Sequence, residues 1–215
     1  VTAPNTFFPT SMYDDVTLGP GAGLAGYELK VKVIITDDAT LNLLPGTKIV
    51  GSSTSKGLSV EAGNLRALGT RTQPITFTAK ITSPGQWIGL RFAGERSSGV
   101  LDHAVIQYGG NRDAGVGANL VVQSGAKVTV TGSLIEEGGG TLGGNGIYVV
   151  SGTLSLACVT VRNNGSDGIY LAGDVDGFAS RSSAIYDNTG LGLRNTTTTT
   201  VVSVPQHWWG DPRGP

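Results

Sequence analysis

Charge is scarce in this chain of 215 residues, because Asp, Glu, Lys and Arg make up only 14% of it. An ordinary soluble domain has roughly 25%. The 15 basic and 16 acidic residues nearly cancel, to a formal net charge of −1. Nucleic-acid-binding domains carry a basic surplus, so no nucleic-acid partner is expected. The sequence also lacks a run of about 20 apolar residues, so no membrane span is predicted.

Thiol and imidazole groups are equally rare. The single cysteine, Cys158, cannot form an internal disulfide. It follows the alternating Leu154 and Leu156, so we expect a small buried residue rather than a nucleophile. The two histidines, His103 and His207, are far apart, and no His/Cys cluster has metal-ligand spacing. The sequence therefore predicts no metal and no cofactor.

Glycine, by contrast, is abundant, with 34 residues, and it punctuates a repeat. Six times a glycine or asparagine precedes an apolar-x-apolar triplet, and successive triplets begin 22 to 32 residues apart. The triplets are residues 58–60, 90–92, 120–122, 147–149, 169–171 and 191–193. Repeats of this length are typical of solenoids, and each triplet is typical of a short strand. We expect their first apolar residues to form one buried column: Leu90, Leu120, Ile147, Ile169 and Leu191.

A second series of strands keeps the same period. Its inward branched residues are Ile106, Ile135, Val161 and Ile185, each followed by a turn of Gly or Asn. Both residue types tolerate left-handed backbone angles and so mark corners. The pattern predicts an all-β fold, a right-handed parallel β-helix (β-solenoid) of roughly six to seven coils.

The two ends of the chain have a different composition. Residues 1–27, rich in Pro and Gly, indicate an extended N-terminal arm or cap. Residues 28–204 are assigned to the β-helix and residues 205–215 to a Trp-Trp-Gly capping tail. A pair of aromatics on an arm is a liability unless it is buried. The candidate assembly contacts are Phe7, Phe8, Met12, Tyr13, Trp208 and Trp209.

Several segments carry a family resemblance. Residues 39–47, 58–60, 65–70, 74–78 and 87–92 resemble the opening coils of bacterial right-handed parallel β-helix repeat proteins, of the pectin-lyase-like fold. Residues 208–215 are similar to the segment that follows the last coil in that family. The resemblance implies a secreted or cell-surface protein. It leaves the activity open, since the family includes surface proteins, adhesins and polysaccharide-active enzymes.

Carboxylates were considered as catalytic groups, because a glycoside hydrolase needs two at a defined separation. The adjacent pairs at 37–38 and 136–137 fit polar corners better, since neighbouring strand residues point to opposite faces. Asp174 and Asp176 alternate and could share a face to hold Ca²⁺, or could belong to a plain loop. His103 has no repeated partner. No catalytic residue is predicted.

Two outward columns follow from the repeat register. One runs along the second strand series, where we expect an ion pair between Glu136 and Arg162 on neighbouring coils. Its members are Gln107, Glu136, Arg162 and Tyr186. The other contains Tyr148 and Tyr170, which occupy the same slot on successive coils. This aromatic ladder is either a sugar-binding strip or a shield for the sheet.

The leading hypothesis from the sequence is an extracellular, non-catalytic structural β-solenoid that self-assembles as a surface or filament subunit. One alternative is a carbohydrate-binding or polysaccharide-active module, and another is a fragment of an adhesin stalk. The expected partners are other copies, another surface protein or a polysaccharide. The chain begins at Val1 rather than methionine, which favours removal of a signal peptide or another upstream segment. The expected location is extracellular or on a bacterial cell surface.

Overall fold

The fold is described from a computed structural model of the chain. It describes residues 8–21, 26–111, 115, 117–140, 143–198 and 201–211. Within these ranges the regular secondary structure consists of 22 short strands. The same ranges contain no helix long and apolar enough to cross a membrane.

The strands follow one another around the coils of a solenoid, three to a coil. In chain order they are β1 (Ser11–Met12), β2 (Val16–Leu18), β3 (Tyr27–Leu29), β4 (Val33–Ile35), β5 (Thr40–Leu43), β6 (Lys48–Gly51), β7 (Leu58–Val60), β8 (Asn64–Leu68), β9 (Ile75–Ala79), β10 (Leu90–Ala93), β11 (Ser98–Asp102), β12 (Ala104–Gln107), β13 (Ala118–Gln123), β14 (Lys127–Thr131), β15 (Leu134–Glu136), β16 (Asn145–Val150), β17 (Thr153–Ala157), β18 (Thr160–Arg162), β19 (Ile169–Leu171), β20 (Gly177–Arg181), β21 (Ala184–Tyr186) and β22 (Leu193–Asn195).

Every third strand joins the same parallel sheet. Sheet 1 contains eight strands, from β1 to β22, sheet 2 contains seven, from β2 to β20, and sheet 3 contains seven, from β3 to β21. Pairing is parallel throughout, so each coil lies on the preceding one at the usual strand spacing of about 4.8 Å. This confirms the predicted all-β parallel solenoid and gives seven three-stranded coils followed by β22.

The core is a stack of aligned apolar columns inside the three sheets. In sheet 1, Leu90, Leu120, Ile147 and Ile169 are register partners and are buried, as predicted. The prediction for the next coil is wrong. Leu193, not Leu191, pairs with Ile169, and Leu191 is 55% exposed. The final corner is two residues longer than the repeat suggested.

The second predicted column is confirmed in sheet 3. Ile106, Ile135, Val161 and Ile185 are consecutive partners, and all are buried. Phe77 extends this column toward the N-terminal coils. Because every coil contributes one residue to each column, burial is continuous along the solenoid axis.

Four corners each contain one residue with a left-handed backbone angle. Between sheets 2 and 3 these residues are His103, Gly132, Cys158 and Ser182, with φ of 47°, 56°, 55° and 51°. The expectation that Cys158 is buried is wrong, because it is exposed. Strand β17 ends at Ala157, so Cys158 occupies the corner and Val159 takes the inward position.

Asparagine amides close the corner between sheet 3 and sheet 1. The Gly109 amide donates to Asn119 Oδ1 at 2.8 Å, and Asn119 Nδ2 donates to Asn164 Oδ1 at 3.1 Å. Asn164 Nδ2 in turn donates to Asn188 Oδ1 at 2.8 Å. Asn119 and Asn164 are buried, so these bonds satisfy backbone and side-chain groups that water cannot reach.

At its N-terminal end, the solenoid begins earlier in the chain than the sequence predicted. Strand β1 pairs with β4 and β2 pairs with β5, so the first coil starts at Ser11 rather than near residue 28. Strands of two and three residues are too short for a recognisable alternation, so this coil could not be distinguished from an extended arm. Met12, proposed as an assembly contact, is buried at 4% exposure in its own chain.

Residues 205–209 extend sheet 3 at the opposite end. Trp208 forms a parallel bridge with Ala184 and donates its amide to the Ser183 carbonyl at 2.9 Å. Trp209 packs against Gly192, where an added Cβ would lie 3.1 Å from the indole. Both tryptophans therefore contact their own solenoid, although Trp208 keeps about half of its surface exposed.

Candidate functional site

The outer face of sheet 1 carries a column with unusual chemistry at its C-terminal half. Parallel pairing fixes its members one coil apart. In order they are Ser11, Ile34, Ser59, Arg91, Val121, Tyr148, Tyr170 and Arg194. The last three, Tyr148, Tyr170 and Arg194, are called the tyrosine face below.

The two tyrosines form an edge-to-face pair. Their ring centroids are 5.3 Å apart and their planes are inclined at 89°. Both side chains are half-buried. The Arg194 guanidinium lies over the Tyr170 ring, with Cζ 5.4 Å from its centroid. Such contacts are favourable electrostatically and hold the rings in place.

A buried carboxylate holds Arg194. The side chain of Asp167 is only 3% exposed. Arg194 Nε lies 2.6 Å from its Oδ2, and Arg194 Nη2 donates a hydrogen bond to its Oδ1 at 3.2 Å. The same Oδ1 accepts the Leu191 amide at 2.8 Å. The hydrogen bond from Arg194 to Asp167, and then their charge attraction, raise the Arg194 pKa. The guanidinium is thus charged and fixed in orientation.

Tyr148 stays uncharged at ordinary pH. Burial, and then the neighbouring Tyr170, raise the pKa of Tyr148 above its usual value of 10. A phenol in this state can both donate and accept a hydrogen bond. The tyrosine face therefore presents an aromatic surface, two hydroxyls and part of a planar cation within three coils.

The sequence identified Tyr148 and Tyr170 but missed Arg194 and Asp167. Placing Leu191 in the core column puts Gly192, rather than Arg194, above Tyr170. The clue to the true register was the Gly190-Leu191-Gly192 run, which fits a longer corner as well as a strand. Asp167 lies in a corner loop, where the repeat gives no signal.

The predicted polar column on sheet 3 is present. Gln107, Glu136, Arg162 and Tyr186 are consecutive register partners. Arg162 Nε contacts Glu136 Oε2 at 2.9 Å and Nη1 donates to the Tyr186 hydroxyl at 3.2 Å. The bond to Tyr186, and then that to Glu136, raise the Arg162 pKa. Arg162 therefore has a hydrogen-bond partner on each of the two neighbouring coils.

The carboxylates considered for catalysis do not converge. Asp37 and Asp38 are exposed in a turn, with Asp38 paired to Arg96. Asp174 and Asp176 are both exposed, on either side of buried Val175. In the part of the chain that the structure describes, no group of three or more His, Cys, Asp or Glu residues is placed to hold a metal ion.

His103 lies beside Asp102 but forms no hydrogen bond with it. Its Nδ1 lies 2.9 Å from Asp102 Oδ1, at the corner between sheets 2 and 3. The pair is remote from the tyrosine face, because the corner lies on the opposite side of each coil. The contact joins two residues that are adjacent in the chain, since Asp102 ends strand β11 and His103 follows it.

An apolar cavity of about 310 Å³ opens at the N-terminal end. Phe8 packs edge-on against Tyr27 beside it, with ring centroids 6.2 Å apart. Tyr13, at its rim, is 61% exposed. Phe7, the other aromatic proposed as an assembly contact, lies outside the described residues.

The stacked coils and the three parallel sheets define a parallel β-helix protein. More particularly, residues 10–176 match the family described as a pectate-lyase like beta helix domain, and the chain belongs to that family. A comparison with curated proteins found no match. A comparison with solved structures also found none.

Proposed function

We propose that this protein is an extracellular, non-catalytic β-solenoid that binds carbohydrate on the tyrosine face. The observation that carries the proposal is the edge-to-face pair of Tyr148 and Tyr170, with Arg194 fixed above it by buried Asp167. A shield for the sheet would need only apolar bulk. It would not need a cation fixed by a buried carboxylate.

The geometry suits a sugar chain lying along the solenoid axis. Aromatic rings offer apolar surface to the C–H face of a pyranose, while hydroxyls and a guanidinium serve its polar edge. Because the ring planes are perpendicular, one tyrosine can stack on a sugar while the other offers its edge and hydroxyl. Coil spacing places Tyr148, Tyr170 and Arg194 about 4.8 Å apart in succession, so a polymer lying along the axis can contact all three.

Binding without cleavage is favoured because Asp167 and Glu136 are each paired with an arginine. Asp167 is buried in its pair with Arg194, and Glu136 is paired with Arg162 on another face. A general acid or a nucleophile has to reach the substrate, whereas these carboxylates hold arginines in place. The proposed role is therefore attachment to a polysaccharide.

A binding assay with matched variants tests the proposal. Tyr148→Ala and Tyr170→Ala should each weaken retention on immobilised glycans by about two- to tenfold, since an aromatic contact contributes about 0.5–1.5 kcal/mol. Tyr186→Ala, on sheet 3, makes the same change on a different face and should bind like the parent. Equal retention by all four proteins would refute the assignment, and release of reducing or unsaturated ends would refute the non-catalytic role.

A structural, self-associating role is a second candidate, favoured by the N-terminal end. Strands β1, β2 and β3 stand at the ends of their sheets, and an apolar cavity lies beside them. Unpaired strand edges and exposed aromatics are the features through which chains associate. Light scattering at high concentration should then show oligomers that Tyr13→Glu dissociates. A monomeric parent protein would eliminate this candidate.

A further inference from the structure

The charges on the tyrosine face cancel. Arg194 is the cation of the face, and Asp167 neutralises it through contacts of 2.6 and 3.2 Å. Because Asp167 is buried and also accepts the Leu191 amide, the carboxylate cannot turn away to release the guanidinium. Tyr148 keeps its proton at ordinary pH, since burial raises its pKa.

Among the described residues, the other outward positions next to the two tyrosines carry no charge. Val121 precedes Tyr148 in the column, Val150 takes the next outward position of strand β16, and Ala172 directly follows strand β19. Arg91 stands two coils from Tyr148, about 10 Å away at the usual strand spacing, and is engaged in interactions of its own. The other outward positions beside the two rings therefore add no charge of their own.

We propose that the tyrosine face selects neutral glycans and discriminates against those rich in carboxylates. This inference rests on the proposed carbohydrate-binding function and specifies its ligand class. A uronate chain brought to this face loses hydration of its carboxylates and gains no net positive charge in return. A neutral chain loses only hydroxyl hydration, which the phenols and Arg194 replace. Arg194 contacts Asp167 through Nε and Nη2, so Nη1 lies outside that pair.

The test compares two probes by isothermal titration: a neutral β-linked hexasaccharide and an oligouronate of equal length. The parent protein should bind the neutral probe at least about tenfold more tightly, with little change as salt rises, because a neutral probe carries no charge for salt to screen. Asp167→Asn keeps the side-chain shape and leaves Arg194 uncompensated. This variant should bind the oligouronate several-fold more tightly than the parent protein does at low salt, and the gain should disappear at high salt.

Glu136→Gln is the matched control, because it frees Arg162 in the same way on sheet 3. It should alter neither affinity. If the parent protein prefers the oligouronate, the inference is overturned while carbohydrate binding stands. If it binds neither probe, both fail. Should Asp167→Asn not fold, the preference and salt response of the parent protein still decide the matter.

Discussion

At the scale of single residues, this solenoid depends on backbone angles that most side chains disfavour. Corner positions between sheets 1 and 2 are Ser124 and Ser151, with φ of 55° and 51°, and Gly173 at 65°. A residue with a Cβ in this region is strained by about 1–2 kcal/mol. The chain thus accepts strain at serine corners that glycine would relieve.

Exchanging corner residues should change stability in opposite directions. Ser151→Gly relieves the left-handed strain, partly offset by the entropy of glycine in the unfolded chain, so we expect a gain of up to about 1 kcal/mol. Gly173→Ala should lose about 1 kcal/mol. Urea denaturation measures both. Gly177→Ala, with no left-handed angle and only ordinary contacts, is the control; a loss as large as that at Gly173 would contradict the argument.

Tyr148 should give the protein a distinctive alkaline response. Its pKa is raised by burial and then by Tyr170, so the unfolded chain loses this proton first as the pH rises. The contribution of protonated Tyr148 to the free energy of unfolding is fully present below about pH 10. It is lost as the pH rises through the pKa that Tyr148 has in the folded protein. Denaturation at about pH 9 and about pH 11 should show a smaller loss for Tyr148→Phe than for the parent. Tyr13→Phe should follow the parent, and equal losses in all three would refute this cause.

At the scale of strands, the columns hold the molecule together. Ile147 is fully buried between Leu120 and Ile169. Ile147→Asp places a charge there without a partner, which costs several kcal/mol and should prevent folding. Leu191→Asp makes the same change at an exposed position and should melt within a few degrees of the parent, as measured by circular dichroism. Equal behaviour of the two variants would show that the register is wrong.

The sequence was sufficient for those strands whose inward residues keep a regular period. Ile106, Ile135 and Val161 recur with branched side chains, so both register and burial could be predicted. The corners between sheets 2 and 3 could not, since a left-handed angle at Cys158 or His103 leaves no compositional trace. Arg194 was missed for a related reason, because a corner two residues longer shifts every later position.

At the scale of the whole molecule, the stacked coils turn short strands into long faces. Sheet 3 presents groups that bond to each other, whereas sheet 1 ends in the half-exposed tyrosine face. Trp208 and Trp209 pack on one end of the solenoid, and an apolar cavity opens at the other. The proposed carbohydrate-binding face therefore runs along the stack of coils, in the direction that a bound polymer would take.

Fluorine NMR tests the central claim, carbohydrate binding on the tyrosine face, most directly. The chain has six tyrosines, and fluorotyrosine labelling gives each its own signal, assigned with Tyr148→Phe and Tyr170→Phe. Titration with the neutral hexasaccharide should shift the signals of Tyr148 and Tyr170 and leave that of Tyr186, on sheet 3, in place. Shifts confined to tyrosines outside the tyrosine face, or no shift at saturating sugar, would contradict the account.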